Sequence, residues 1–400
     1  MNNNHVKLVV TGGGSGGHTS AVSSVCQRIQ EQNPNIDMVW VASRTGVERE
    51  VAQSLNIPQQ VITTGKLHRA INKKLIPDLL RVPLGLIQSF RFLQATKPQL
   101  IFSSGGYVAV PVVIAGWMLG IPIIIHEQTA SVGLANRISG YFATKILLSY
   151  QESEQFFPAQ KSIVTGNPVR KEIFSGSFET LQARFDFSPD LPLIYVTGGA
   201  QGAEAINKVI GELLPSLLVK FQILHQCGSI AETYDSEWLN QQKDSLLPPL
   251  KPRYHVVDYV DSDLIGSVFQ AASVVVSRSG AGTIAELKAL SLPSVLIPYP
   301  FAIKNEQLLN ANILAREQLA LVITEDTLTS ARLLDSINQV YGWPDSDQAK
   351  TRPEFVNPAD VIQQEIVRML ESIGIKTETT APPDKGHHVV SVPDRKVSQN

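Results

Sequence analysis

Residues 5–18 read HVKLVVTGGGSGGH, an apolar β-strand pattern that leads directly into a glycine-rich turn. Residues 191–202 repeat the arrangement as LPLIYVTGGAQG. A strand, a glycine-rich turn and a helix in this order are typical of a βαβ unit, in which the first amides of the helix can bind an anion. The two stretches therefore predict two similar α/β halves, each beginning with a ligand-binding turn.

Further short apolar runs alternate with amphipathic segments through both halves. They are residues 37–43, 99–106 and 121–128 in the first half and residues 221–228, 254–260, 273–280 and 294–300 in the second. Such alternation predicts parallel sheets that are covered by helices on both faces. The predicted fold class is α/β, with two Rossmann-like parallel-sheet domains facing each other across a cleft. The predicted boundaries are 1–165 for the first domain, 166–190 for an irregular linker, 191–350 for the second domain, 355–373 for a final helix and 376–400 for a disordered tail.

Composition excludes several classes of protein. Of the 400 residues, 43% are hydrophobic and 18% are charged, so two domains can each bury a core. The net charge of −2 gives no argument for nucleic-acid binding. The two cysteines, Cys26 and Cys227, exclude a disulfide scaffold and a cysteine-cluster metal site, and they favour a reducing cytoplasm. The N-terminus lacks the pattern of a signal peptide.

Residues 108–125 contain no charge and just reach the length of a membrane-spanning helix. Pro111, Gly116 and the break at residues 120–122 divide this run. We therefore predict a buried helix followed by a buried strand, and no membrane span.

The turn at residues 11–18 ends in His18, at the start of the predicted first helix. It is not a P-loop, because no Gly-Lys-Ser/Thr follows, and it matches an NAD fingerprint poorly, because no acidic residue ends the second strand. The positive end of the helix dipole opposes protonation of His18, so a neutral imidazole could act as a general base. The alternative is a tight turn, capped by Ser15, whose histidine only packs against the protein.

Residues 277–286, SRSGAGTIAE, form another small-residue turn whose amides can hold a diphosphate. Glu286 has two interpretations, which the residues alone leave equally open. Its carboxylate could accept hydrogen bonds from both hydroxyls of a ribose. Alternatively, Thr283 and Glu286 could form a helix capping box with a purely structural role.

Strand ends provide further candidates, since open α/β sheets bind ligands there. They are SGGY at 104–107, HEQT at 126–129 and GGAQG at 198–202, although turn geometry explains each one alone and His126 with Glu127 could be a buried pair. KNEQLLN at 304–310 suits recognition of sugar hydroxyls, unless Glu306 merely favours a helix N-terminus. The stretch from Lys66 to Arg81 mixes cations with Leu and Ile, as in a solvated helix face or a segment that docks on an anionic membrane.

Taken in order, these motifs resemble the MurG family, the glycosyltransferase family 28 enzymes that make lipid II. The resemblance covers residues 7–373 and rests on GGSGGH (13–18), GGYV (105–108), HEQ (126–128), GNPVR (166–170), GGAQG (198–202) and RSGAGT (278–283). It implies the GT-B fold, in which the helix at 355–373 returns to the first domain. It also implies an inverting transfer of GlcNAc from UDP-GlcNAc to the C4 hydroxyl of lipid I. It also implies a peripheral enzyme on the cytoplasmic face of the bacterial plasma membrane, with an anionic membrane surface as a partner and with no metal or other cofactor.

The resemblance also implies roles for individual residues. The catalytic base is His18 or Glu127, Glu286 holds the uridine ribose, and Val260 places backbone near the uracil. The lipid-linked acceptor, undecaprenyl-diphosphate-linked muramyl-pentapeptide, lies beside Gly13, Gly14, Gly105, Gly106 and Tyr107. The remaining residues implied for UDP-GlcNAc are Ser15, Gly16, Gly17, Thr129, Arg170, Ala200, Gln201, Gly202, Ala281, Gly282, Thr283, Glu306 and Gln307.

Three departures from the family pattern affect these expectations. Thr129 stands where the family usually has Asn after His-Glu-Gln, Ala200 replaces a Ser, and the Pro that commonly follows the first His is missing. They leave open a related transferase with a different lipid or glycan acceptor, or a UDP-sugar-binding subunit without catalysis. A UDP-sugar 2-epimerase is disfavoured, because it needs several cleft carboxylates and Glu127 is the one convincing candidate.

Overall fold

The computed structural model describes residues 5–14, 16–65, 75–228, 235–343 and 355–379. The first of its two parallel sheets contains β1 (Val6–Thr11), β2 (Ile36–Ser43), β3 (Gln59–Ile62), β4 (Leu100–Ser103), β5 (Ile123–Glu127), β6 (Lys145–Leu148) and β7 (Ser162–Val164). Their order across the sheet is β3-β2-β1-β4-β5-β6-β7. The order reverses direction between β1 and β4, which is where doubly wound sheets bind ligands.

The second sheet repeats this topology. It contains β8 (Leu193–Thr197), β9 (Gln222–Gln226), β10 (Tyr254–Val257), β11 (Ala272–Ser277), β12 (Ser294–Leu296) and β13 (Ala320–Val322). The order is β10-β9-β8-β11-β12-β13, so the reversal lies between β8 and β11. Every residue of β8 and β9 is buried, as expected for parallel strands covered on both faces, including the polar Gln222, His225 and Gln226 of β9.

Helices cover both faces of each sheet. Those that follow the strands of the first sheet are α1 (Gly16–Gln32), α2 (Glu48–Ser54), α3 (Leu75–Thr96), α4 (Ala109–Met118) and α5 (Leu134–Phe142). The later ones are α6 (Phe178–Phe185), α7 (Glu204–Leu217), α8 (Asp235–Asp244), α9 (Ser262–Ala271), α10 (Ala281–Leu290), α11 (Glu306–Arg316), α12 (Ser330–Tyr341) and α13 (Pro358–Ser372). Helix α13 returns to the first sheet, where Ile362, Ile366 and Leu370 join the same buried cluster as Val22 and Ile29 of α1.

The stretch predicted to be an irregular linker, residues 166–190, is largely ordered. It contains α6, and Val169, Ile173, Leu181 and Phe187 are buried in a core cluster on the second sheet. The linker boundaries stay a prediction, and the widely spaced apolar side chains of this stretch pack on the second sheet.

The charge-free run at residues 108–125 forms α4 and the start of β5, as predicted. Within the described ranges, no helix is both long enough and apolar enough to cross a bilayer. At the far end of the chain, residues 376 and 378 hydrogen bond to Asn35, and the Asn33 side chain donates to the carbonyl of Glu378. The rest of the predicted tail, from residue 380, lies outside the described residues.

Candidate functional site

The carboxyl ends of the two sheets border one cleft of about 1120 Å³. The turns after β1, β4 and β5 line it on one side, and the turns after β8 and β11 line it on the other. Both reversal points of strand order therefore contribute to the same cavity. This arrangement agrees with the predicted cleft between two Rossmann-like sheets.

The first glycine-rich turn rests on a buried carboxylate that the sequence analysis missed. Glu48 accepts hydrogen bonds from Ser43 N (2.9 Å), Ser43 Oγ (2.6 Å) and Gly14 N (3.3 Å). A Cβ on Gly13 would lie 2.5 Å from Glu48 Cδ, and one on Gly14 would lie 2.2 Å from Tyr107 Cε1. Glycine is required at both positions because the turn packs tightly between Glu48 and Tyr107.

His18 lies in the first turn of α1 and lines the cleft. Its Nδ1 is 2.8 Å from the carbonyl oxygen of Ser104, and Ser104 Oγ donates to the His18 carbonyl at 2.7 Å. A carbonyl oxygen can only accept a hydrogen bond, so Nδ1 carries the proton in the neutral ring. The lone pair of the neutral imidazole is therefore on Nε2, the atom that a general base needs.

Glu127 is buried at the end of β5, and its carboxylate is surrounded by donors. Oε1 lies 3.1 Å from Thr129 N and 2.8 Å from Thr129 Oγ1, and Oε2 lies 3.3 Å from Gly133 N and 3.0 Å from Asn136 Nδ2. An ionised carboxylate has about four acceptor positions. Donors of the protein surround both oxygens, and these contacts hold residues 127–136 in place.

His126 and Glu127 do not form the buried pair that their adjacency suggested. The Nε2 of His126 bonds the carbonyl of Gly166 at 3.0 Å, while Glu127 is bonded on the other side of the strand. Burial lowers the pKa of His126 to about 4, and the nearby His18 adds to the effect against the opposing Gly166 bond. His126 is therefore a neutral, structural histidine at pH 7.

The position at which α10 begins decides between the two interpretations of Glu286. The helix begins at Ala281 with Gly280 as its N-cap, so Thr283 is the third residue of the helix and cannot be the capping residue. A capping box between Thr283 and Glu286 is therefore excluded. Gly280, Gly282 and Glu286 all line the cleft, and a Cβ built on either glycine would meet no neighbouring atom within 4 Å.

Glu286 is instead bonded to Arg170. Nε of Arg170 lies 2.7 Å from Oε1 of Glu286, and Nη2 lies 3.3 Å from Oε2. Burial alone would lower the pKa of Arg170, but the Glu286 carboxylate more than reverses this effect and raises it. Beside this pair, the side chain of Asn167 donates to the carbonyl of Ala281 at 3.1 Å, which ties residues 166–170 to the start of α10.

Lys304, in the turn before α11, and Glu306, the first residue of α11, line the cleft. Lys304 Nζ donates to the carbonyl of Val132 at 3.3 Å and so bridges the two sides. Burial, followed by repulsion from Glu127, raises the pKa of Glu306. Gln307 does not line the cleft, because its Oε1 accepts from Ser279 N (3.3 Å) and Tyr299 N (3.0 Å).

The cleft brings together most of the candidate residues from the sequence. Its lining includes Gly13, Gly14, Gly16, Gly17, His18, Gly106, Tyr107, Glu127, Thr129, Arg170, Ala200, Ala281, Gly282, Thr283, Glu286 and Glu306. Outside the lining lie Gly105, Gln201, Gly202, Val260 and Gln307. The Val260 amide donates to Gln226 Oε1 at 3.0 Å, and the neighbouring Tyr259 lines the cleft in its place.

Parts of two predicted sites fall outside the described ranges, namely Ser15 and residues 66–74 of the cationic stretch. Over the part of the chain that is described, no group of three or more His, Cys, Asp or Glu side chains is arranged to hold a metal ion. The sequence analysis did not single out Asn136, whose side chain bonds Glu127. The signal in the sequence is its polar amide within the otherwise apolar helix start LAN.

Two family models match the chain across both sheets. The glycosyltransferase family 28 N-terminal domain matches residues 8–148, and the family 28 C-terminal domain matches residues 193–366. This chain belongs to glycosyltransferase family 28. The matched ranges contain the strands, turns and helix starts that border the cleft.

Curated relatives of this family 28 glycosyltransferase carry one enzyme name. A Bacillus cereus protein is 35% identical over 92% of this chain and 99% of its own length. A Lachnospira eligens protein is 35% identical over 84% of this chain and 91% of its own length. Both are named as UDP-N-acetylglucosamine--N-acetylmuramyl-(pentapeptide) pyrophosphoryl-undecaprenol N-acetylglucosamine transferases, the first with the number 2.

Solved structures agree in fold. The crystal structure of Acinetobacter baumannii MurG superposes with a TM-score of 0.66 at 23% identity and covers 90% of this chain and 99% of its own. A UDP-GlcNAc 2-epimerase from Neisseria meningitidis, bound to UDP-GlcNAc, gives a TM-score of 0.63 at 13% identity, covering 92% and 99%. Enzymes of two reaction classes share this architecture, so the fold alone does not choose between them.

Proposed function

We propose that this glycosyltransferase moves GlcNAc from UDP-GlcNAc to the C4 hydroxyl of lipid I, with inversion, and so forms lipid II. The substrates are those in the names of relatives that are 35% identical over most of the chain. The observation that carries the proposal is one cleft containing His18 on one side and the open start of α10 with Glu286 on the other. That arrangement provides a base for an acceptor hydroxyl and a holder for a nucleotide.

The donor is bound mainly by the second sheet. The amides of residues 280–283 point from the start of α10, where the helix dipole favours a diphosphate. The 198–202 loop supports the diphosphate from the neighbouring strand, and Glu286 accepts hydrogen bonds from the ribose hydroxyls. Arg170 adds positive charge beside the leaving group. No resident cofactor is assigned, and UDP-GlcNAc enters as a substrate.

The reaction is a single displacement with one proton transfer. Nε2 of His18 takes the proton of the acceptor C4 hydroxyl, and that oxygen attacks C1 of GlcNAc. The bond between C1 and the diphosphate oxygen breaks as the new bond forms, so UDP leaves with the bonding electrons. The α10 amides and Arg170 stabilise the charge that develops on UDP, which is the general role of preorganised donors at a leaving group.

Glu127 is assigned to positioning rather than to proton transfer. Both of its oxygens already face donors of the protein, which leaves little room for an acceptor hydroxyl to reach the carboxylate. The Thr129 hydroxyl lies 2.8 Å from both Glu127 Oε1 and the Ser131 carbonyl, and the Thr129 amide donates to Glu127 Oε1, so the position of the family's usual amide packs against the carboxylate here. The acceptor side of the cleft consists of the first glycine-rich turn together with Gly106 and Tyr107.

The acceptor carries a polyprenyl chain, and the proposal therefore includes a peripheral location on the cytoplasmic face of the plasma membrane. Residues 66–81 supply the cations for an anionic surface. Where anionic lipid and a lipid-linked substrate coincide, binding to the surface concentrates the enzyme beside its acceptor.

The decisive experiment measures UDP release from UDP-GlcNAc with and without lipid I. We expect release that depends on lipid I and a product of the mass of lipid II. A UDP-sugar-binding subunit would bind UDP-GlcNAc and release no UDP in either case. A transferase with another acceptor would stay inactive with lipid I while retaining the affinity for UDP-GlcNAc.

A further inference from the structure

Gln226, the last residue of β9, lies behind the cleft and bonds two segments that border it. Its side chain is 4% exposed and lies outside the cleft lining. Nε2 donates to the carbonyl of Gly199 at 3.1 Å, and Oε1 accepts from the amide of Val260 at 3.0 Å. One buried amide therefore connects the diphosphate turn (residues 198–202), which follows β8, with the nucleoside segment (residues 259–260), which follows β10.

The chemistry of its partners fixes the orientation of the Gln226 amide. A backbone amide can only donate and a backbone carbonyl can only accept, so a flip of the side chain would disrupt both bonds. The hydroxyl of Tyr195 also donates to Oε1, at 3.1 Å. Burial raises the pKa of Tyr195, so the hydroxyl keeps this proton at neutral pH. Both ends of the Gln226 amide are thus bonded to the protein, and the side chain acts on a ligand only through its neighbours.

Both of the connected segments belong to the proposed donor site. Gly199 lines the cleft within the diphosphate turn. Its carbonyl also accepts from the amide of Gly202 at 3.1 Å, so Gln226 bonds the diphosphate turn at the atom that closes it. Tyr259 lines the cleft within the nucleoside segment. A shift of either segment would therefore change the shape of the donor site.

The ion pair assigned to the ribose lies beside the same network. Against the effect of burial, Glu286 raises the pKa of Arg170, and Tyr259 and Tyr195 add smaller effects in the same direction. Both tyrosines are therefore close to the Arg170 guanidinium, and Tyr195 is bonded to Gln226. Gln226 thus contacts residues beside the proposed ribose site as well as the diphosphate turn.

We infer that Gln226 is a positioning residue that sets the spacing between the nucleoside segment and the diphosphate turn. The inference rests on the proposed function, since it takes the donor to be a uridine diphosphate sugar. A ligand that contacts both segments gains its full affinity only when their spacing matches its own length. A ligand that contacts one segment is much less sensitive to that spacing. Gln226 therefore matters most for ligands that contain both the nucleoside and the diphosphate.

The test compares the affinities of variants for UDP, uridine and inorganic pyrophosphate. UDP is titrated directly by calorimetry, and the two smaller ligands are measured by competition against UDP. Gln226→Met removes the amide at similar volume. Gln226→Asn keeps the amide but shortens the side chain by one methylene, so it cannot reach both segments at once.

Gln222→Met is the matched control. Gln222 is the first residue of the same strand, so it lies at the end of β9 away from the cleft, and it is 1% exposed. Its side chain also makes three hydrogen bonds, all to the backbone of Ser188 and Leu191. The control therefore loses a buried amide with as many bonds, but none of them reaches the donor site.

We expect both Gln226 variants to bind UDP about tenfold or more weakly than wild type, while their affinities for uridine and pyrophosphate change by less than about threefold. In the assay with lipid I, the KM for UDP-GlcNAc should rise while the KM for lipid I stays within about twofold. Gln222→Met should lose stability and keep the wild-type affinity for all three ligands. An equal loss for UDP and for either smaller ligand in the Gln226 variants would overturn the inference, as would an equal loss of UDP affinity in Gln222→Met.

Failure of the inference is distinguishable from failure of the proposed function. If wild type binds no UDP, the proposed function fails before any variant is compared. If wild type binds UDP and the Gln226 variants bind it equally well, the inference alone fails. If Gln226→Met does not fold, as judged by its circular dichroism, Gln226→Asn decides by the same comparison.

Discussion

Arg170 and Glu286 form a bidentate ion pair at the edge of the cleft, with contacts of 2.7 Å and 3.3 Å. The pair joins the segment after the first sheet to α10 of the second sheet. It also occupies both oxygens of the carboxylate that we assign to the ribose. Nucleotide binding therefore has to share or displace this pair, and each partner can be tested separately.

Removing the carboxylate should abolish most of the affinity for UDP. Hydrogen bonds to charged groups contribute about 1.5 to 3 kcal/mol each, so losing two of them predicts a fall of roughly a hundredfold or more in Glu286→Ala. Glu286→Gln should lie between this variant and wild type. Calorimetric titration with UDP measures the effect, and Glu317→Gln, in the exposed pair with Lys288, serves as the control. Unchanged binding in both Glu286 variants would show that the ribose assignment is wrong.

Removing the Arg170 cation should weaken the binding of UDP but not that of uridine. In Arg170→Ala we expect the affinity for UDP to fall about tenfold, because a charged hydrogen bond to the diphosphate is lost. Uridine lacks the diphosphate, and its affinity should not fall, since the ribose no longer competes with Arg170 for Glu286. Parallel titrations with UDP and uridine provide the comparison. A parallel loss for both ligands would assign Arg170 to holding Glu286 in place.

Two buried histidines predict the acid sensitivity of the fold. Burial lowers the pKa of His126 to about 4 and that of His225 to about 3. The unfolded chain binds these protons near pH 6.5, whereas the folded chain does not. Their contribution to stability is therefore complete above pH 6.5 and is lost as the pH falls toward 4, with a magnitude on the order of 3 kcal/mol for each.

Urea unfolding at pH 7.5, 6 and 5 measures this loss. His225→Gln should show a shallower fall of the free energy of unfolding with pH than wild type. If the free energy of unfolding falls with pH as steeply in His225→Gln as in wild type, His225 does not contribute to the acid sensitivity.

The cationic stretch predicts binding to anionic membranes. Each lysine or arginine near an anionic surface contributes about 1 kcal/mol at low salt. Pelleting with anionic vesicles should fall with added salt and in Lys73→Glu/Lys74→Glu. The control Lys208→Glu/Lys220→Glu makes the same charge change at exposed positions of the second half. Equal pelleting with neutral and anionic vesicles would show that the stretch does not recognise anionic lipid and is an ordinary solvated surface.

The cleft was predictable because the carboxyl ends of parallel strands meet at one edge of a sheet. The glycine-rich turn before His18 and the polar turn at Glu127 follow β1 and β5, so their meeting needs no knowledge of side-chain packing. The role of Glu127 was not predictable in the same way. Its donors include Gly133 and Asn136, and nothing local in the sequence tells that this loop folds back over the carboxylate.

At two other positions the local pattern could not decide the role. Thr283 and Glu286 have the spacing of a capping box, yet the helix begins two residues before Thr283. Glu48 lies in the first turn of α2, where carboxylates are common, but it is fully buried under the glycine-rich turn. In both cases the position of the helix start relative to the neighbouring turn decides the role, and tertiary packing sets that position.

The last prediction concerns the base. The Ser104 carbonyl holds the proton of His18 on Nδ1 and leaves the lone pair on Nε2. Positioned proton abstraction contributes about 10² to 10⁴-fold, so His18→Ala should lower turnover by that factor while the affinity for UDP-GlcNAc barely changes. Glu127→Gln is the decisive comparison: turnover retained within a few-fold in His18→Ala and destroyed in Glu127→Gln would pass the role of base to Glu127 and leave His18 as a packing residue of the turn.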